Sequence, residues 1–373
     1  MISNGEFTFD YLRERAKVFA PGRTIANVLR NKDGHINDTF IVEMIRGETR
    51  RFVMQRINNR VFTNPQALMR NMTLVTEYLR RRVTELGGDV NREVLTLRRA
   101  ADGQVLHQAP DGTLWRAFTF VEDALTVQRV TCPEQLYEAG SAFGRFQNLL
   151  CDFPAQELVP VIPDFHNTRV RFEALEAAIG ENPLGRAAEV QADIDFALAR
   201  RQDACVLQDL LDAEKLPLRV THNDTKINNV MLDASTGQAV CVIDLDTVMP
   251  GSILFDFGDA IRSGVNTAEE DEPDLSKVRV DLEYYQAFAR GFLEQTRDSM
   301  TELERELLPF AAKMMTFECG TRFLADHLLG DTYFRIHRPG QNLDRARTQF
   351  KLVAEMEALE PELRRIQKEL MRS

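Results

Sequence analysis

The sequence predicts an α+β chain in two lobes, a small β-sheet lobe over residues 1–121 and a large, mainly helical lobe over 122–373. Three observations predict it. Short β-rich runs separated by turn residues fill most of the first third, with one amphipathic helical stretch among them. From about Glu122 long helical patterns dominate. A compact β-rich island at 218–248 interrupts those helices, and this order differs from the strand–helix alternation of a doubly wound sheet. A length of 373 residues suits two such lobes.

The elements follow in order. Residues 24–30 read as a strand, followed by the polar loop Asn31-Lys32-Asp33-Gly34-His35. Two β-rich runs, 37–45 and 51–57, are joined at Gly47-Glu48, a hairpin signal. Asn64 before Pro65 reads as an N-cap with proline at the first helical position. Leu68, Met72, Val75, Leu79, Val83 and Leu86 then recur as one apolar helix stripe, which Gly87-Gly88 ends. Strands near 94–98 and 113–121 carry turn chemistry at Asp102-Gly103 and Asp111-Gly112. Helical patterns at 133–150, 167–179 and 186–211 lead to the island. Beyond it, Thr301-Glu302-Leu303-Glu304 is a capping-box start. Phe350, Val353, Met356, Leu359, Leu363, Ile366 and Leu370 mark a last helix, bent or restarted at Pro361.

Composition narrows the function. Lys plus Arg is 46 against 57 Asp plus Glu, a net charge of −11. Such a chain is a poor nucleic-acid binder, although a local cationic pocket with a metal can still hold phosphates. Cys132, Cys151, Cys205, Cys241 and Cys319 are odd in number and widely spaced, which points to a reducing, cytoplasmic compartment. No secretory signal is visible at residues 1–10, and no apolar run approaches a membrane span. A Walker A run and a Gly-x-Gly-x-x-Gly turn are both absent.

The chemistry concentrates in the island. Thr221-His222-Asn223-Asp224-Thr225-Lys226-Ile227-Asn228-Asn229 follows a strand, and Asp244 follows a second apolar strand. Mg²⁺ takes hard oxygen ligands completed by phosphates and water, a role that suits Asn229 and Asp244. A carboxylate kept off the metal can accept a proton from an attacking hydroxyl, which suits Asp224, and Lys226 can neutralise a moving phosphoryl group. These are the parts of phosphoryl transfer. Each has a duller reading. Asp224 and Asn229 could be turn residues, Lys226 a solvated charge, and His222 a structural hydrogen-bonder.

His-x-Asp-x-x-x-x-Asn followed by Ile-Asp resembles the active-site signature of aminoglycoside phosphotransferase-like kinases. The order of elements over most of the chain agrees with it. Within that family the nearest resemblance is to members that phosphorylate the anomeric hydroxyl of N-acetylhexosamines. It rests on Gly34–Thr39, Thr221–Met231, Val242–Arg262, Glu318–Leu324 with Gly330–Phe334, and Asn342–Arg347. The resemblance implies a protein-kinase-like two-lobed fold and the cofactors ATP and Mg²⁺. It implies Asp224 as catalytic base, Asn229 and Asp244 as metal ligands, and Asp256 as a structural anchor of the loop. It places Gly34, His35, Asn37 and Thr39 over the ATP phosphates, and residues 119–122, with Phe120 and Glu122, at the adenine edge. Arg322 and Tyr333, with His35 and Arg262 behind them, would hold the sugar hydroxyls. For Arg322 the competing reading is an ordinary i,i+4 ion pair with Glu318.

Three departures stand out. Asn223 occupies the usual glycine position of the motif, and the phosphate loop has a single glycine, Gly34. The strand that should carry a phosphate-binding lysine reads Phe52-Val53-Met54-Gln55-Arg56. Strand alternation puts Gln55 toward the nucleotide and Arg56 on the opposite face. Either Arg56 reaches in by a bulge, or Gln55 acts as a neutral ligand, leaving Lys226 and the metal to supply more positive charge. The partners expected are a nucleotide and a small-molecule sugar, with no nucleic acid and no membrane. Another acceptor (a different sugar, an amino alcohol or an aminoglycoside) and a non-catalytic nucleotide-binding module are the alternatives. Nucleotide preference and oligomeric state stay open.

Overall fold

A computed structural model of the chain describes residues 7–31, 36–45 and 50–372. The expected phosphate-loop residues Gly34 and His35 and the hairpin turn Gly47-Glu48 lie outside them. The chain divides into two units, Met1–Ala124 and Leu125–Ser373.

The first unit opens with a helix the sequence reading did not anticipate, α1 (Phe9–Phe19), N-capped by Thr8 through Tyr11 N–H. Leu12, Ala16 and Phe19, one turn apart, are its buried face. Then come β1 (Ile25–Asn31), β2 (Asp38–Met44), β3 (Arg51–Arg56), α2 (Pro65–Glu85), the short α3 (Val90–Glu93), β4 (Leu97–Arg98), β5 (His107–Gln108) and β6 (Leu114–Thr119). The strands form an antiparallel sheet in the order β1-β2-β3-β6-β4, with β5 paired to β6. Alternation sorts its two faces. Phe40, Val42, Phe52, Met54, Trp115 and Ala117 are buried in one cluster with Leu12, Ala16 and Phe19 of α1. Thr39, Gln55 and Arg116 lie on the other face, directly opposite one another across β2, β3 and β6. In α2, Asn64 accepts from Ala67 N–H, and Leu68, Met72, Val75, Leu79 and Val83 are buried as the stripe predicts. Leu86 departs from the stripe: it is the exposed C-cap residue, followed by Gly87 at φ 74°.

The second unit begins with β7 (Ala124–Thr126), where the chain passes between units, and continues with α4 (Pro133–Leu149), α5 (Thr168–Glu181), α6 (Gln191–Leu198) and α7 (Asp203–Asp212). The single helical run expected over 186–211 is thus broken at residues 199–202. The island supplies β8 (Arg219–Thr221), β9 (Val230–Asp233), β10 (Ala239–Val242) and β11 (Met249–Gly251). β11 pairs with β8, and β10, β9 and β7 form a three-stranded sheet. Helices α8 (Ile253–Gly264), α9 (Leu282–Thr296), α10 (Glu302–Glu306), α11 (Leu308–Leu329), α12 (Gln341–Ala358) and α13 (Glu360–Leu370) complete it. The capping box at Thr301 and Glu304 forms as predicted, and the last helix restarts at Pro361.

The core of the second unit includes Phe143, Phe257, Phe288, Phe292, Phe317 and Leu324, all fully buried. Helices α4 and α9 approach until backbone meets backbone. A Cβ on Gly140 would strike the Phe288 carbonyl, and one on Gly291 would strike the Tyr137 carbonyl. Glycine is required at both places because only hydrogen leaves room. Among the described residues no helix is long and apolar enough to cross a membrane.

Candidate active site

The loop after β8 is built from backbone hydrogen bonds onto buried side chains. Asp256, on the first turn of α8, is fully buried and accepts from three donors. His222 N–H (2.9 Å) and Gln147 Nε2 (2.6 Å) reach Oδ2, and Asn223 N–H (2.8 Å) reaches Oδ1. Burial pushes its pKa up, and the N–H donors oppose that by favouring the carboxylate. Asp256 therefore holds the two residues before Asp224, the anchoring role the resemblance implies. Asp259, one turn on, accepts from Thr225 N–H at 2.9 Å, just past Asp224.

Burial alone would raise the pKa of Asp259. Arg262, His166 and Lys226 outweigh it and hold the carboxyl at about 2. Arg262 makes two bonds to Asp259 Oδ1, at 3.0 and 2.7 Å, and reaches Glu270 at 3.5 Å. It is buried, and its guanidinium serves this pair.

Backbone strain sits at two points, with Asn223 at φ 65° and Asp244 at φ 60°. Asparagine and aspartate tolerate this region better than other non-glycine residues, which explains how Asn223 replaces the usual glycine. Its Nδ2 also donates to Thr247 O at 2.8 Å, a bond glycine cannot make.

His222 is structural. Its Nδ1 accepts from Asp224 N–H at 3.2 Å, so the proton resides on Nε2, which donates to Ile243 O at 2.9 Å. The imidazole thereby joins the base candidate to the residue preceding Asp244. Ile243 N–H in turn donates to Asn229 O at 2.9 Å, which fixes the Asn229 and Asp244 backbones against each other.

The Asp224 carboxylate is oriented at both oxygens. Lys226 Nζ lies 2.8 Å from Oδ1, and Asn229 Nδ2 donates to Oδ2 at 3.1 Å and to the main-chain oxygen at 2.8 Å. Asp224 raises the pKa of Lys226, so the ammonium stays charged. Because the Asn229 nitrogen is committed to Asp224, its Oδ1 is the atom left to ligate a cation. One amide oxygen and the exposed Asp244 carboxylate are hard donors of the kind Mg²⁺ uses alongside phosphates and water. The donor set fits Mg²⁺, and no cluster of three His, Cys, Asp or Glu among the described residues offers a competing all-protein cage.

A buried histidine that sequence reasoning missed connects this loop to α11. His166 Nδ1 is 2.8 Å from Glu318 Oε1, and its Nε2 is 3.0 Å from Asn223 O. Both partners are acceptors, so both nitrogens donate and the ring is an imidazolium. Burial opposes that charge, but Glu318 and Asp259 outweigh it and raise the His166 pKa. Burial likewise opposes ionisation of Glu318, and His166 with Thr168 keeps its pKa low.

Glu318 is thus bound to His166 and Thr168, and among the described residues Arg322 forms no ion pair with it. Arg322 instead stands over Phe165 at 5.5 Å, Phe334 at 5.4 Å and Tyr333 at 5.9 Å. The segment carrying Tyr333 is tied down by one carboxylate. Asp326 accepts from the N–H groups of Thr332 (2.9 Å), Tyr333 (2.8 Å) and Phe334 (2.9 Å), and from Asn342 Nδ2 (2.9 Å). Tyr333 itself is 69% exposed.

In the first unit, Gln55 Oε1 accepts from Arg116 Nε and Nη2 at 2.9 and 2.8 Å, and its Nε2 donates to Thr39 Oγ1 at 3.0 Å. No bulge turns Arg56, because β3 keeps register with both neighbours through it. Arg56 lies on the α1 face, bound to Asp38 at 2.5 Å and stacked 4.7 Å over Phe7. Asn37 Oδ1 accepts from Asn58 N–H. Arg51 pairs with Glu122 and covers the Phe120 ring at 4.1 Å, while Arg92 donates to Glu122 O at 3.4 Å.

A sheet unit and a helical unit whose island holds an Asp-anchored Asp224 loop are the framework of a phosphotransferase. Residues 27–303 match the phosphotransferase enzyme family, and the chain belongs to it. Among solved structures the fold is similar to that of spectinomycin phosphotransferase in complex with ADP and spectinomycin, at 13% identity and a TM-score of 0.57, covering 96% of this chain and 100% of that one. It is similar to an aminoglycoside phosphotransferase from Alicyclobacillus acidocaldarius (15%, TM-score 0.58, 91% and 92%). It also resembles choline kinase from Cryptosporidium parvum (14%, TM-score 0.54, 91% and 90%). The expected protein-kinase-like fold class is borne out.

Proposed function

We propose that the chain is an ATP- and Mg²⁺-dependent N-acetylhexosamine 1-kinase. The observation that carries this reading is the Arg322 guanidinium over Tyr333, on the same helix as the Glu318 that His166 ties to the Asp224 loop. Glu318, one turn before Arg322 on α11, is joined through His166 to Asn223, the residue preceding Asp224. A guanidinium only donates hydrogen bonds. It suits the lone pairs of sugar hydroxyls and an acetamide carbonyl, and it repels an ammonium such as an aminoglycoside or choline carries.

In the reaction Asp224 orients the anomeric hydroxyl and takes its proton. The anomeric oxygen bonds to the γ-phosphorus as the bond from that phosphorus to the β–γ bridging oxygen breaks, and ADP leaves. Lys226 offsets charge on the transferring group and holds the Asp224 carboxylate in place through Oδ1. Held by Asn229 and Asp244, Mg²⁺ would neutralise phosphate charge.

The test is ³¹P NMR of the protein with ATP, Mg²⁺ and N-acetylglucosamine or N-acetylgalactosamine. A sugar 1-phosphate resonance split by the anomeric proton is expected as ATP becomes ADP. Asp224→Asn should bind ATP and give no product. Turnover of an aminoglycoside or amino alcohol with neither hexosamine would replace the sugar acceptor and leave the phosphotransferase standing.

A further inference from the structure

Position 55 of β3 carries no charge, yet the sheet face it belongs to does. Arg116 lies directly opposite Gln55 on β6 and is 1% exposed. Its guanidinium is 5.1 Å from the Phe118 ring centroid, two residues along the same face. Gln55 receives two of its five donors on one carbonyl oxygen and passes its own amide N–H to Thr39. The Gln55 carbonyl is spent on Arg116, so the glutamine orients a cation and does not replace one.

The rest of the face agrees with a nucleotide lying on it. Leu29, Ile41 and Val53 alternate onto this face across β1, β2 and β3, and Val53 pairs with Phe118. These apolar side chains are followed by the polar row Thr39, Gln55 and Arg116. A planar base suits the first group and phosphate oxygens the second.

We propose that Arg116, aimed by Gln55, is the nucleotide-phosphate cation of this chain, one strand away from where the lysine was expected. The inference rests on the ATP-dependent reading above. It also explains the glutamine. A lysine at position 55 would place an ammonium against the Arg116 guanidinium, and two like charges side by side in a partly buried row repel. Glutamine is the uncharged residue that accepts from arginine on one side and donates to threonine on the other. Arginine stays ionised even when buried, and its planar fork matches phosphate geometry.

The experiment is calorimetric titration of ATP and of adenosine, with Mg²⁺, into the wild type, Arg116→Gln, Gln55→Lys and the double exchange Gln55→Lys/Arg116→Gln. Arg116→Gln should weaken ATP about tenfold to a hundredfold and leave adenosine within about twofold. The double exchange should recover most of the ATP affinity, because the cation returns to the same row. Arg116→Gln that binds ATP like the wild type overturns the proposal. If that variant does not fold, Gln55→Glu decides. It keeps Arg116 and neutralises it in place, so ATP affinity should fall without loss of thermal stability; unchanged ATP affinity overturns the proposal. A wild type that binds no nucleotide removes the kinase reading and this inference together. Nucleotide binding without sugar turnover leaves the inference intact and strikes only the acceptor.

Discussion

Asp256→Asn isolates the anchoring of the catalytic loop from the chemistry. The variant keeps size and removes the charge. Three donors now converge on two oxygens: Oδ1 takes Asn223 N–H, and Oδ2 takes His222 N–H and Gln147 Nε2. The best asparagine orientation keeps its oxygen where two donors meet, and turns its NH₂ toward Asn223 N–H. One charge-assisted bond is lost, about 1.5–3 kcal/mol, and a buried N–H pair is left facing each other, about 1–3 kcal/mol. Relief from burying a charge returns part of this, since burial already raises the Asp256 pKa. The net cost is about 2–4 kcal/mol. If the loop alone yields, the competent arrangement becomes about 30- to 1000-fold rarer. The assay pairs steady-state kcat with a thermal melt. kcat should fall within that range, and KM for ATP should stay near wild type because Asp256 touches no ligand. A variant with wild-type kcat and melting temperature would refute the claim that this carboxylate holds Asp224 in place.

Two further perturbations follow. His166 has a folded pKa raised above its ordinary value of about 6.5. Its stabilisation is therefore complete below about pH 6.5 and is lost as pH rises through the folded value. The Glu318 pKa is lowered, so its contribution is present above the ordinary carboxylate value and is lost as pH falls through the folded one. The urea midpoint should decline on the alkaline side in the wild type. His166→Gln should flatten that decline and cost about 3 kcal/mol; equal pH slopes in the two proteins would contradict the imidazolium. Gly258→Ala gains about 1 kcal/mol of helix propensity. Its new Cβ would also sit 2.5 Å from the Ala311 carbonyl oxygen of α11, an overpacking cost of about 1–3 kcal/mol. The melting temperature should drop, with kcat following because Asp256 and Asp259 flank the site; a raised melting temperature would show that α8 and α11 separate freely.

Local signals carried most of the fold. The α2 stripe, the Thr301 capping box and the island strands are written in spacings and caps that short stretches of chain determine. Helix α1 was legible in principle from Leu12, Ala16 and Phe19 and from the Pro21-Gly22 stop that follows them, but Arg13, Glu14, Arg15 and Lys17 crowd the positions between and dilute the apolar stripe. The break between α6 and α7 has no proline or glycine to announce it. At the site, Asp224, Asn229, Asp244 and Asp256 stood out because they share one short segment. His166 did not, since its partners lie 57 and 152 residues away. Arg116 looked like one more polar residue in a strand, and its meaning appears only when β6 is laid against β3. The readable signal was parity: residues on one face of paired strands should be examined together.

The crossing of α4 and α9 bears on how sequence variation in this protein is to be interpreted. Gly140 and Gly291 each face the other helix's main chain, and neither touches a residue of the Asp224 loop in the contacts that a Cβ would make. In a mutational scan both positions will score as intolerant as Asp224, the proposed base. Scores of that kind, read as a map of chemistry, would draw a second hot spot far along the sequence from any reacting group. Separating the two requires measuring abundance beside turnover, for a helix crossing fails by losing protein and an active site fails by losing rate.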